Sequence, residues 1–193
     1  MDTAGGRTEV RGRTEVRLAG FGGQGVVLAG VCLGKAAMLD GNCAVQTQSY
    51  GAEARGGAAR SEVIIAGQAI VYPEVLAPDC MAALSQPAVD KYLADLRPEG
   101  TLIVDDELVM RLDAGPGVRV LRARFTQVAG KDLGRPIVAN MVMLGYLAGI
   151  TGLVSAAALA QAVREQVPKG TDELNLRAID RGRELAALAG AGP

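Results

Sequence analysis

A glycine-rich turn near the start of the chain is the first place where residue types and spacing could do chemistry. Gly20, Gly22 and Gly25 form a G-x-G-x-x-G pattern after a predicted strand and at the start of a predicted helix. Backbone N–H groups in such a turn can face a phosphate at the helix N-terminus. The same glycines could instead only allow the strand and the helix to pack closely. The turn, with Gly23 and Gln24 included, is therefore a candidate phosphate or ligand site, and close packing is the open alternative.

The glycine pattern alone does not indicate a dinucleotide. NAD binding also needs an acidic side chain at the end of the second strand, where it holds the ribose. Asp40 follows the motif at about the expected distance of ~20 residues, but it precedes the predicted second strand. That strand ends in Gln46, Thr47 and Gln48, none of which is acidic. The sequence therefore disfavours an NAD site.

The stretch QSYGAEARGGAARSE, between two predicted strands, is a second candidate site. Its glycines would let the backbone approach a partner closely, and Arg55 and Arg60 offer forked donors for phosphate or carboxylate. Tyr50 offers an amphipathic contact surface. The loop could contact an anionic ligand at the strand ends, or it could have only a structural role in which Arg55 pairs with Glu53 or Glu62. The candidate contact residues of this loop are Ser49, Tyr50, Gly51, Glu53, Arg55, Gly56 and Gly57.

Three further polar residues lie inside a predicted helix or at the end of a predicted strand. Asn140 stands in an apolar predicted helix, where it is either a hydrogen-bonded core residue or a donor that faces the site. Asp105 and Asp106 end a predicted strand. A pair of carboxylates could do acid–base chemistry, but a solvated turn and helix cap is the favoured interpretation of these two residues.

Composition excludes whole classes of function. The chain has 193 residues, a net charge of −1, no histidine, two Phe, four Tyr and no Trp. It lacks the basic excess and the stacking aromatics of nucleic-acid binders. Cys32, Cys43 and Cys80 have no C-x-x-C spacing, which disfavours a zinc or iron–sulfur site held by this chain. Three scattered cysteines fit buried apolar roles and a reducing cytoplasm, and we expect no metal ligands.

Predicted strands alternate with predicted helices along most of the chain. This pattern predicts an α/β fold of three layers, Rossmann-like, with a mostly parallel sheet and helices on both faces. The predicted strands are 14–20, 43–48, 61–66, 69–72, 79–85, 100–106 and 118–123, and the predicted helices are 23–39, 86–96, 126–134, 137–150, 155–167 and 173–189. Both candidate sites then lie at carboxyl ends of strands, where ligands of such sheets bind.

The chain is predicted to form one domain over residues 14–190, with a flexible extension over residues 1–13. The extension contains a first copy of the five letters RTEVR, which are repeated where the fold begins. Residues 136–163 carry no charge and are long enough for a membrane span. However, the letters TGLVSAAAL indicate a helix end and a new N-cap at Ser155. We therefore expect two buried helices and no contact with a membrane.

Four segments together carry a specific resemblance. AGFGGQGVVLAGVCLGKAA, QSYGAEARGGAARSEVII, YPEVLAPDCMAALSQPAVDKY and NMVMLG resemble the gamma subunit of 2-oxoacid:ferredoxin oxidoreductases. The letters SYGAEARGG are most similar to the 2-oxoglutarate type. NLRAIDRG also resembles the C-terminal pattern of that family, so the resemblance extends over about residues 16–182.

The resemblance implies a subunit of a larger enzyme that converts a 2-oxoacid to an acyl-CoA and passes electrons to ferredoxin. Thiamine pyrophosphate, Mg and iron–sulfur clusters would belong to the alpha and beta subunits, with a delta subunit as an optional fourth chain. The gamma domain would pack over the thiamine-bearing subunits and help to bind coenzyme A and close the active site. The loop that contains Arg55 would then contact the active site or coenzyme A, or form only a subunit contact. This chain alone would hold no cofactor and be inactive. The alternatives are the small subunit of indolepyruvate ferredoxin oxidoreductase, an independent Rossmann-type nucleotide-binding protein, and an assembly module without a ligand.

Overall fold

The computed structural model describes Thr8, Val10, residues 12–49 and residues 58–190. Within these residues the chain forms one six-stranded sheet and six α-helices. The strands are β1 (Arg13–Phe21), β2 (Cys43–Ser49), β3 (Ala58–Ala66), β4 (Cys80–Ala83), β5 (Thr101–Asp105) and β6 (Arg119–Ala123). The helices are α1 (Val26–Leu39), α2 (Gln86–Tyr92), α3 (Phe125–Lys131), α4 (Ala139–Thr151), α5 (Ala156–Gln166) and α6 (Asp172–Gly190).

The sheet has the strand order β2-β3-β1-β4-β5-β6. β1, β4, β5 and β6 pair in parallel, whereas β3 runs antiparallel to both of its neighbours, β1 and β2. Five strands therefore share one direction. The predicted α/β class with a mostly parallel sheet is confirmed, and the reversed direction of β3 is a feature that the sequence pattern did not indicate.

Alternate residues of β1 supply two separate hydrophobic cores. Val16 and Leu18 pack into the larger core with α1 and α4, and Ala19 packs into the smaller core with Tyr92 of α2. Helices therefore cover both faces of the sheet, as predicted. Val10, within the predicted extension, also joins the larger core and donates its N–H to Asn42 Oδ1 at 3.0 Å.

The uncharged region folds as two separate helices, as predicted. α4 ends at Gly152, which has a φ of 63°, and α5 begins after Ser155, whose side chain accepts a hydrogen bond from the N–H of Ala158 at 3.1 Å. α4 and α6 approach so closely that a Cβ at Gly182 would overlap the carbonyl oxygen of Val142. Within the part of the chain that the structure describes, no helix combines the length and apolar character that a membrane crossing needs.

The predicted strand at 69–72 is wrong, because this segment has no regular structure and Val71 is 93% exposed. The letters AIVY have high strand propensity. However, both edges of β3 are already paired, with β1 and β2, and both edges of β1 are paired with β3 and β4. The segment therefore cannot pair with β3 or β1, and its strand propensity is not realised.

The cysteines divide into two buried thiols and one exposed thiol. Cys32 and Cys80 are buried as expected, and burial raises the pKa of each thiol to about 12. Cys43 is exposed, which corrects the expectation of a buried apolar role. The reason is that β2 is the edge strand of the sheet, and Cys43 is its first residue.

Candidate functional site

The glycine turn connects β1 to α1 at the carboxyl edge of the sheet. Gln24 donates its N–H to the carbonyl oxygen of Phe21 at 3.1 Å, which closes the turn. Gly23 and Gly25 have φ values of 94° and 71°, a region that favours glycine because it has no Cβ. Gly22 lies outside that φ region, and no described atom lies within 4 Å of a Cβ built on it. Nothing in the described part of the chain therefore requires glycine at position 22.

The side chain of Gln24 fixes the turn to the sheet. Its Oε1 accepts the N–H of Phe21 at 2.6 Å, and its Nε2 donates to the carbonyl oxygen of Leu84 at 3.2 Å. A Cβ at Gly20 would lie 2.6 Å from the same Oε1. Gln24 and Gly20 therefore hold the shape of the turn, and both amide ends of Gln24 already contact the backbone.

Asn140, in the first turn of α4, lies directly beside the glycine turn. It is 4% exposed, and its Nδ2 donates to the carbonyl oxygen of Gly25 at 3.0 Å. A Cβ at Gly25 would overlap this side-chain amide. The structure thus brings together two predicted site elements that are 115 residues apart. Asn140 is a buried core residue and also a support for the start of α1.

The glycine turn leads directly into the N-terminus of α1. Its N-cap is Gly25, no described side chain caps it, and its first turn has no acidic residue. The first N–H groups of a helix have no partner inside the helix, and the helix dipole makes this end positive. The turn therefore has room for an anionic group or for the backbone of another chain. Either one would approach past Gly22 and Gly23, where no described atom lies within 4 Å of a Cβ position.

The second candidate site lies mostly outside the described residues. Tyr50, Gly51, Glu53, Arg55, Gly56 and Gly57 belong to this undescribed range. Its flanks are fixed, because Ser49 pairs with Arg60 and Ala58 pairs with Phe21. The chain therefore leaves and re-enters the sheet at the edge that carries the glycine turn.

A buried ion cluster, which sequence reasoning missed, lies beneath that flank. Arg17 is 1% exposed and donates its Nε to Glu62 Oε1 at 2.8 Å and its Nη1 to Asp95 Oδ2 at 2.5 Å. Its guanidinium carbon lies 5.5 Å from the centre of the Tyr92 ring, and that of Arg60 lies 5.4 Å from it. Glu62, named as a possible partner for Arg55, is therefore bound to Arg17. The sequence did contain one sign of this cluster, because Arg17 and Glu62 are opposite charges that lie within two predicted strands.

The remaining acidic candidates have structural roles. Both oxygens of Asp40 accept hydrogen bonds from Ser155, from its N–H at 2.6 Å and from its hydroxyl at 2.7 Å. Asp105 is fully buried and accepts the N–H and hydroxyl of Thr126 in α3, so it is a helix cap but not a solvated one. Among the described residues, no group of three or more Cys, Asp or Glu side chains could hold a metal.

Comparison with known proteins identifies the family. The model of the family described as "Pyruvate ferredoxin/flavodoxin oxidoreductase" matches residues 15–185. The chain belongs to this family. The match covers nearly all of the sheet and its helices, so the family assignment includes both the glycine turn and Asn140.

Individual family members give a finer comparison. The 2-oxoglutarate synthase subunit KorC of Methanocaldococcus jannaschii is 49% identical over 183 residues, which are 93% of this chain and 97% of the relative. A crystal structure of the gamma subunit of a keto/oxoacid ferredoxin oxidoreductase from Geobacter sulfurreducens is 45% identical, with a TM-score of 0.84 over 92% of this chain and 98% of that one. The resemblance to a gamma subunit is thus confirmed.

One relative carries the same domain in a much longer chain. The ketoisovalerate oxidoreductase subunit VorA of Methanothermobacter thermautotrophicus is 34% identical over 178 residues, which are 89% of this chain but 36% of VorA. In VorA, the domain is therefore covalently joined to further polypeptide.

Proposed function

We propose that this chain is the gamma subunit of a 2-oxoglutarate:ferredoxin oxidoreductase, which decarboxylates its substrate oxidatively and forms an acyl-CoA. The observation that carries this proposal is the 49% identity to a KorC subunit over almost the full length of both chains. These relatives favour the 2-oxoglutarate enzyme over the indolepyruvate alternative. An independent NAD-binding protein is disfavoured, because Asp40 is used in capping α5.

Within this enzyme, the chain's own contribution is a contact at the glycine turn and the adjacent loop. The N-terminus of α1, which no described side chain caps, and the exposed Gly22 and Gly23 fit a phosphate of coenzyme A or the backbone of a partner subunit. Coenzyme A supplies the thiol that accepts the acyl group. Gln24 and Asn140 keep the turn in place from below. In this proposal thiamine pyrophosphate, Mg and iron–sulfur clusters belong to the partner chains. The domain extends over residues 14–190, and residues 1–13 are an extension of it.

Co-purification tests the assignment to a multisubunit enzyme. The chain is expressed with the alpha and beta subunits of the same oxidoreductase, and native mass spectrometry identifies the assembled chains. We expect one complex that contains all three. A monomer that binds NAD with micromolar affinity and joins no other subunit would contradict the proposal.

Arg55→Ala tests the contact of the loop with coenzyme A. We expect turnover at limiting coenzyme A to fall about tenfold to a hundredfold, since a lost charge-assisted hydrogen bond costs about 1.5–3 kcal/mol. Arg55→Lys should restore only part of the rate, because lysine keeps the charge but not the forked geometry. The measurement is steady-state turnover as coenzyme A is varied, with native mass as the control for assembly. If assembly is weaker but the assembled fraction has normal kinetics, Arg55 contacts another subunit and does not contact coenzyme A.

A further inference from the structure

An exposed apolar segment lies at the edge of the sheet opposite the glycine turn. Residues 69–76, here called the apolar segment, lie in the connection between the end of β3 at Ala66 and the start of β4 at Cys80. Ala66 pairs with the first residue of β1, and Asp79 donates its N–H to Glu15 near the same end. The segment is therefore remote from the residues that the proposed function uses.

Large apolar side chains are unusually exposed in this segment. Val71 is 93% exposed, Leu76 is 66% exposed and Tyr72 is 55% exposed. The surrounding residues 67–78 include a single charged residue, Glu74, in a chain in which 21% of the residues are charged. Contiguous apolar surface on a soluble domain marks an interaction site, and interface cores are poor in charge and rich in tyrosine.

The apolar segment is held in a defined position by its neighbours. The guanidinium of Arg13 donates to the carbonyl oxygens of Tyr72 and Glu74, at 2.7 and 2.8 Å, and its Nε donates to Glu15 at 2.7 Å. Val75 is 5% exposed and anchors the segment from below. The apolar side chains are thus presented on a preorganised backbone, which lowers the entropic cost of binding a partner.

A cleft beside the segment extends this surface. It has a volume of about 610 Å³ and is lined by Val10, Gly12, Arg13 and residues 66–72. A surface of exposed apolar side chains next to a cleft can accept side chains from a facing protein.

We propose that the apolar segment is the docking surface for an unlike subunit of the oxidoreductase, which covers it with an apolar patch of its own. This inference rests on the proposed function. The occupant is an unlike chain because relatives of this protein are named as subunits, and because VorA joins the same domain to further polypeptide. A surface with few charges, Glu74 in the segment and Arg13 in the cleft beside it, selects a mainly apolar partner, since a highly charged one would lose hydration and gain few ion pairs.

Aspartate substitutions at the exposed positions test this assignment. Val71→Asp and Leu76→Asp place a charge on side chains that make few contacts in the chain, so folding should be preserved. Met110→Asp and Leu188→Asp are matched controls, since these residues are 78% and 73% exposed elsewhere on the surface. Circular dichroism of each isolated chain verifies the fold.

The readout is dissociation of the co-expressed complex on dilution, followed by mass photometry. We expect the Val71 and Leu76 variants to release this chain at about tenfold to a hundredfold higher concentration than wild type, and the controls to match wild type. The fraction that remains assembled should keep its turnover number, because the segment is at the opposite edge from the glycine turn.

Three outcomes would contradict the inference, and each one identifies a different part of it as wrong. If the wild-type complex forms and the aspartate variants are equally stable, the docking assignment is wrong and the proposed function stands. If the isolated chain dimerises and Val71→Asp abolishes only that dimer, the occupant is a second copy and the assignment to an unlike subunit is wrong. If the wild-type chain joins no other subunit, the proposed function fails and the inference fails with it.

Discussion

Replacing Gly22 by valine is expected to lower the turnover of the assembled complex about a hundredfold and to leave the stability of the chain unchanged. The chain itself has space for this side chain, since no described atom lies within 4 Å of a Cβ at Gly22 and its φ is not in the glycine region. A loss of activity would therefore report a ligand or partner that approaches the turn from outside. Displacement of reacting groups by about 1 Å can cost about a hundredfold in rate.

Two other glycines provide controls for this substitution. Gly23→Val should lower both activity and stability, because Gly23 has a φ of 94° and a non-glycine residue in the left-handed region costs about 1–2 kcal/mol. Gly190→Val, at the open end of α6, should change neither quantity. Turnover is measured on the complex, and unfolding in urea is measured on the isolated chain. If Gly22→Val turns over like wild type, the glycine turn is not part of the proposed site.

The substitution Arg17→Met is expected to lower the free energy of unfolding by about 3–5 kcal/mol. Arg17 is buried and bound to Glu62, and its removal leaves that buried carboxylate with only the longer contact to Arg60 Nε, at 3.7 Å, as a counter-charge among the described residues. Asp95, the other acidic partner, has a side chain that is 43% exposed, so water can solvate it after the change. The loss should therefore come mainly from Glu62.

A double variant separates charge burial from packing. Arg17→Met combined with Glu62→Leu should recover most of the lost stability, because apolar replacement of a whole buried pair is often neutral. Arg97→Met is the surface control, since Arg97 pairs with Asp79 at a side-chain exposure of 49% and such pairs contribute about 0–1 kcal/mol. Urea unfolding followed by circular dichroism measures all three. A loss below about 1 kcal/mol for Arg17→Met would contradict a stabilising role of the cluster.

The parts of the fold that depend on local pattern could be predicted from the sequence. The alternation before Gly20, the apolar run of α1 and the cap at Ser155 each predicted an element that the structure contains. These signals work because periodicity and capping involve residues that are neighbours in the chain. The family resemblance worked for a related reason, since its motifs are contiguous.

The parts that depend on contacts between distant segments could not be predicted in this way. The strand-like letters of 69–72 gave no sign that both edges of β3 are occupied. Alternation in β1 places Arg17 on the face opposite Val16 and Leu18, and this pattern alone is compatible with an exposed side chain. In the structure, α2 and the turn that follows it cover that face, so Arg17 is buried. The bond from Asn140 to Gly25 joins residues 115 positions apart, and no local pattern encodes it.

Substrate-dependent reduction of ferredoxin by the purified complex is the decisive test of the assignment to a 2-oxoglutarate:ferredoxin oxidoreductase. The complex that contains this chain is assayed with 2-oxoglutarate, pyruvate, 2-oxoisovalerate and indolepyruvate, each with coenzyme A, and kcat/KM is compared. The proposed function predicts the highest kcat/KM for 2-oxoglutarate, and no ferredoxin reduction by the isolated chain. A higher kcat/KM for any of the other three 2-oxoacids, or full activity of a complex that lacks this chain, would contradict it.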